Sequence, residues 1–79
     1  MRYTTRYVHK ISPQPGDTGP AVDLDEPPTS NADCGRLLRK HGLLARGERV
    51  TSFRVEADGR IVAFPAASVW HSIILTPVR

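Results

Sequence analysis

The chain has 79 residues, 39% hydrophobic and 24% charged, with eleven Lys+Arg against eight Asp+Glu for a formal net charge of +3. That length allows one domain, 1–79, and excludes a multidomain enzyme. No apolar run reaches the roughly 18 residues of a membrane-spanning helix.

Residues 3–11 alternate, with Tyr3, Thr5, Tyr7, His9 and Ile11 on one face and Arg2, Thr4, Arg6, Val8 and Lys10 on the other. Period-two alternation with one charged face predicts a half-buried strand. Residues 12–30 hold five of the seven prolines, with Gly16 and Gly19, and carry Asp17, Asp23, Asp25 and Glu26. Proline removes backbone donors and fixes φ, so this stretch is expected to be a long acidic loop, pinned to the core only through Val22 and Leu24. A loop of that length is either a solvated connector or a contact element.

Ser30-Asn31-Ala32-Asp33 fits the pattern in which a serine caps the first helical amides and an acidic residue three positions on reaches back. Cys34, Leu37, Leu38 and His41 then recur at helical spacing, and Gly42 follows as a natural stop, so the helix is expected over 31–41. Thr29 is a competing cap. Leu43 and Leu44 are expected to fold back on the helix end, and Arg46-Gly47-Glu48-Arg49 to turn.

Val50–Glu56 and Arg60–Phe64 alternate around Asp58-Gly59, a favoured pair for a two-residue type I′ hairpin. That turn pairs Ala57 with Arg60, sets Val55 opposite Val62 and Phe53 opposite Phe64, and leaves Arg54, Glu56, Ile61 and Ala63 on the other face. After Pro65, residues 69–76 form a last strand that is apolar on both sides near Ile73–Leu75, as a central strand would be, and Pro77 ends it. The expected fold is α+β, a small antiparallel sheet of about four strands with one helix on one face, in the order β-α-β-β-β.

Charge is unevenly spread. Residues 1–11 sum to +3, 12–30 to −4, 31–49 to +3 and 50–79 to +1. The basic set Arg36, Arg39, Lys40, Arg46 and Arg49 is the main binding candidate, with Arg36, Arg39 and Lys40 expected on one outward helix face. Asp23, Asp25 and Glu26 are the acidic counterpart. Either set also reads as ordinary solvated surface.

Catalytic and metal-binding readings are weaker. Cys34 and His41 share a helix face, but no close ligand pair completes a zinc set. A thiolate at Cys34 is disfavoured by its place on the apolar stripe and by Asp33 beside it. Nothing fixes the geometry of the three carboxylates, and Gly16-Asp17-Thr18-Gly19 lacks the lysine of a phosphate loop. The expectation is a protein without catalytic residues, metal or cofactor. The opening Met1-Arg2-Tyr3-Thr4-Thr5-Arg6 leads into no apolar secretory core, and one cysteine makes no internal disulfide, so the expected location is the cytoplasm.

The lone helix (Asp33-Cys34-Gly35-Arg36-Leu37-Leu38-Arg39-Lys40) and tight hairpin (Arg54-Val55-Glu56-Ala57-Asp58-Gly59-Arg60-Ile61-Val62) sit in a short, arginine-rich, cysteine-poor chain. In that format it resembles the small accessory proteins of tailed phages and mobile elements of high-GC bacteria, and among them the anti-CRISPR inhibitors. The resemblance implies a steric mechanism, in which the protein sits on a Cas effector complex of the bacterial host and blocks target-DNA binding or nuclease recruitment. It implies no catalytic residues. The net positive charge departs from the acidic DNA mimics of that class, so only the 17–26 acidic stretch imitates phosphates. The alternative is a small nucleic-acid-binding or regulatory protein using the basic face of helix 31–41.

Overall fold

The structure, a computed structural model, describes residues 1–9, 15–66 and 70–78. It contains strands β1 (Arg2–His9) and β2 (Pro15–Asp23), helix α1 (Asn31–Lys40), and strands β3 (Val50–Val55), β4 (Ile61–Pro65) and β5 (Trp70–Pro77). The strands form one antiparallel sheet in the order β2-β1-β5-β4-β3. The architecture is the expected α+β, with five strands in place of about four.

The fifth strand corrects the proline argument. Residues 15–23, expected in a loop, pair with β1 through Tyr3↔Val22, Thr5↔Gly19, Arg6↔Thr18 and Val8↔Pro15. β2 lies at the sheet edge, where a strand bonds on one side only, and proline is tolerated there. Two register shifts let an extra β2 residue drop out of the ladder, one beside Pro20 and one beside Pro15. Gly19 is required by contact, because a Cβ there would lie 2.9 Å from the Tyr7 ring and 3.0 Å from the Thr5 methyl. Val22 and Leu24 are buried, as expected, and so is Pro28. Residues 24–30 carry no strand or helix, and 12–14 lie outside the described residues.

β1 alternates as the sequence requires, with Tyr3 and Thr5 buried and Arg2, Thr4 and Arg6 exposed. The side chains of His9, Ile11 and Trp70 lie outside the described residues. β5 runs between β1 and β4, which explains why its Ile73–Leu75 segment is apolar on both faces.

The hairpin forms, but one residue out of the expected register. Gly59 N–H donates to the Glu56 carbonyl at 2.9 Å, and Glu56 N–H to the Arg60 carbonyl at 2.7 Å. The loop is therefore Ala57-Asp58-Gly59, a type I turn whose last residue, Gly59, has φ +92 and forms a bulge. Val55 stands opposite Ile61 and Phe53 opposite Ala63. A one-residue slip exchanges the two faces of a strand. Ile61 and Ala63 thus face the helix, at 0% and 1% exposure, while Val62 and Phe64 face the other way. The deciding partner is β5, where Ile61 meets Leu75 and Ala63 meets Ile73 at the core.

The helix begins at Ser30, whose hydroxyl accepts from Asp33 N–H at 3.0 Å. Asp33 reaches back one residue further than expected, accepting from Thr29 N–H at 3.0 Å. At the other end Gly42 N–H donates to Arg39 C=O and Leu43 N–H to Leu38 C=O. This pair of bonds is a Schellman stop, and it turns Leu43 and Leu44 into the core. Cys34 and Leu38 pack with Tyr3, Val22, Ile61, Ile73 and Leu75. The sheet face opposite the helix is left without a covering element among the described residues.

Leu38→Ala is expected to lower stability by about 2–5 kcal/mol, the cost of a cavity at a site 2% exposed. Gly59→Ala is expected to cost about 1–2 kcal/mol for placing a side chain in left-handed backbone. Urea denaturation followed by circular dichroism measures both.

Candidate binding surfaces

The helix presents its charges on two flanks. Successive helical residues are about 100° apart, so Arg36 and Lys40, one turn apart, lie together, whereas Arg39 falls on the opposite side of Arg36 from Lys40. The three span an outward arc of about 100°, with Arg39 and Lys40 at its two ends, and they line different grooves. Arg36 and Lys40 line a groove of about 370 Å³ together with Asp23, Asp25, Glu26, Asp33 and His41. Arg39 and Arg49 line a second groove with Asn31, Gly35 and Val50. Arg46 is exposed on the turn between helix and hairpin and lines neither.

The first groove joins both predicted sets. The acidic stretch leaves β2 at Asp23, is anchored by Leu24, and passes alongside α1. Anchoring is two-fold at that point: Leu24 N–H donates to the Met1 carbonyl, and the Met1 ammonium donates to the Leu24 carbonyl, each at 3.0 Å. The three carboxylates therefore meet Arg36 and Lys40 across a shared hollow. Arg36 is already ion-paired with Asp33 at 2.5 Å. The Asp33 carboxyl is held below its ordinary value of 3.8, chiefly by the Thr29 amide and then by Arg36.

Arg39 has a structural task. Its guanidinium lies over Gly35 and donates to the Glu48 carbonyl at 2.8 Å, tying the last helical turn to the following loop. Glu48 in turn accepts from Ala45 N–H at 3.3 Å.

Cys34 and His41 border a small apolar hollow shared with Val22, Leu24, Leu37 and Leu43. Burial, and secondarily Asp33, pushes the Cys34 thiol up to about 11, so it is protonated at neutral pH. Among the described residues, no three His, Cys, Asp or Glu side chains converge as metal ligands. No helix among them is long and apolar enough to cross a membrane.

A third surface went unrecognised in the sequence. The open sheet face carries Arg2 and Arg6 from β1, Arg54 from β3 and Arg60 beside β4. Arg6 and Arg60 flank a groove of about 350 Å³ floored by Ile74, with Thr4, Thr18 and Thr76 around it. Arg54 lies 5.7 Å from the Phe64 ring centre, and Phe64 meets His71 edge-to-face at 5.7 Å. Arg54 pairs with Glu56 at 2.7 Å and Arg60 with Asp58 at 2.9 Å, while Arg6 has no ion-pair partner among the described residues. The β1 alternation already places Arg2 and Arg6 on one face. Arg60 joins them, with Arg54, only once the three-residue turn is known.

Comparison with protein-family models, with curated proteins and with solved structures finds no match to this chain.

Asp33 gives a pH prediction with a definite sign. Its folded value lies below the unfolded one, so its stabilisation is complete above about 3.8 and is lost as pH falls through the folded value. Asp33→Asn should therefore destabilise at neutral pH and flatten the stability profile on acidification below 4, as read by thermal melts across pH. Cys34 should react with iodoacetamide at neutral pH only after denaturation, as followed by mass spectrometry.

Proposed function

We propose that the protein is a non-enzymatic protein-binding domain, and that its partner is a Cas effector complex of a bacterial host, blocked by steric occupation. The observation that carries the protein-binding reading is the mixed-charge groove. Asp23, Asp25, Glu26 and Asp33 share it with Arg36 and Lys40. A phosphate backbone laid along this helix flank would meet four carboxylates beside two cations, and desolvated like charges oppose binding. A protein surface of alternating charge has no such conflict, and complementary charge fixes its register. The ion pair of Arg36 with Asp33 further reduces the positive field available to nucleic acid. The Cas assignment rests on the resemblance in format alone, and a protonated, buried Cys34 is consistent with a role other than catalysis.

A second reading is favoured by a different surface. The open sheet face offers Arg6, free of ion pairs among the described residues, and on the same face Arg54 over the Phe64 ring, which meets His71. Arginines interleaved with exposed rings suit a single-stranded nucleic acid. This relocates the nucleic-acid alternative from the helix to the sheet.

Gel-shift and binding assays separate the two. The first reading expects binding to purified Cas effector complexes, weakened by Glu26→Lys and by Lys40→Glu, and no shift of single-stranded DNA at low salt. A salt-dependent shift lost in Arg6→Ala but kept in Lys40→Glu establishes the second reading and overturns the first. Failure to bind any effector complex, with no DNA shift, removes the Cas assignment.

A further inference from the structure

The two edges of the sheet are built differently. β2 carries Pro15 and Pro20 and is interrupted by two register shifts, which blunt it against pairing. β3 reads Val50-Thr51-Ser52-Phe53-Arg54-Val55, with no proline or glycine, and its one irregularity lies between Val50 and Ser52. Antiparallel ladders alternate between bonded and non-bonded pairs. Glu56 and Arg60 form a bonded pair, so Arg54/Val62 is the next, and Phe53 and Val55 turn their N–H and C=O groups away from β4. Thr51 is closed, since its carbonyl accepts from the Asn31 side chain at 3.0 Å. The open stretch is thus Phe53–Val55, and Val55 is 46% exposed.

We propose that this edge pairs antiparallel with the same edge of a second copy of the chain, with Val55 on the two-fold axis and Arg54 opposite the partner's Glu56. The occupant follows from charge complementarity and from elimination of the other two-fold registers. A register centred on Phe53 needs Thr51 opposite the partner's Val55, and Asn31 already holds the Thr51 carbonyl. A register centred on Arg54 sets two arginines face to face at a non-bonded pair, where side chains are closest. Centring on Val55 places Arg54 against the partner's Glu56 twice over. Each strand already pairs Arg54 with Glu56 at 2.7 Å, so the four charges close into an alternating square. The exposed Val55 is then covered by the partner's Val55, and two five-stranded sheets become one. The inference is independent of the partner reading above, because no residue of Phe53–Glu56 lines the groove at 23–41.

Sedimentation velocity of the full chain across a range of concentrations tests it. The native chain is expected to show a concentration-dependent monomer–dimer equilibrium. Glu56→Arg should weaken it by about tenfold or more, and adding Arg54→Glu to that variant should restore it. Val55→Pro should abolish it, since proline there removes an outward N–H and no bond of the β3–β4 ladder. Circular dichroism checks that each variant folds, and either one that folds suffices. A chain monomeric at every concentration overturns the proposal. So does a dimer indifferent to both Val55→Pro and Glu56→Arg, or a double variant no better than Glu56→Arg alone.

Discussion

One short helix has to roof a five-stranded sheet, and most of the structure answers that constraint. Ten helical residues span about 15 Å, while the outer strands of five lie about 19 Å apart. Cys34 and Leu38 are the keystones, packed in one cluster with Ile73 and Leu75 from the central strand β5 and Ile61 from its neighbour β4. The helix cannot reach the margins, so irregular chain does. Val22, Leu24 and Pro28 close one side, and Leu43 and Leu44 close the end. The Schellman stop is therefore more than a terminator, because it is what aims the two leucines inward.

With the roof used up on one face, the other is covered, among the described residues, by side chains alone. Val62 is 7% exposed although, among the described residues, no helix or strand lies above it. Its cross-strand neighbours are Arg54 and Ile74, and long arginine stems can shield apolar surface while their heads stay in water. The ion pairs of Arg54 with Glu56 and Arg60 with Asp58 hold these stems in place. Exposed pairs of this kind add little stability. Their larger consequence is to neutralise the field locally, as Asp33 does at Arg36. The net charge of +3 is thus the sum of many small, nearly balanced sites, and the surface reads as patterned more than basic.

Sequence reasoning reached what is set by local chemistry. Ser30, Asp33 and Gly42 bound the helix because capping depends on residues a few positions apart. β5 is legible as central because both its faces are apolar. The failures are all non-local. Pro15 and Pro20 argue against a strand only if the strand has neighbours on both sides, and edge position is a property of the whole sheet. Asp58-Gly59 fits a two-residue turn and also the end of a three-residue one, and the choice is made by Ile61 and Ala63 meeting Leu75 and Ile73. The binding candidates divide in the same way. Arg36 and Lys40 fall together by helical spacing, but their meeting with Asp23, Asp25 and Glu26 depends on where β2 ends. Arg39 looks like surface charge until the Glu48 carbonyl comes within reach.

The misread prolines carry information once their place is known. A proline-rich stretch that is nonetheless a strand is a strand adapted to remain an edge, and Gly19 beneath the Tyr7 ring shows how closely that adaptation is fitted. Both β2 and β3 face the same hazard, since each presents a row of unpaired backbone groups to solvent. Only β2 carries the residues that blunt it. On β3 the obstruction found among the described residues is Asn31 at Thr51, which closes one end and leaves Phe53–Val55 bare. Unlike β2, β3 runs straight into the tight hairpin, with neither proline nor glycine to interrupt it.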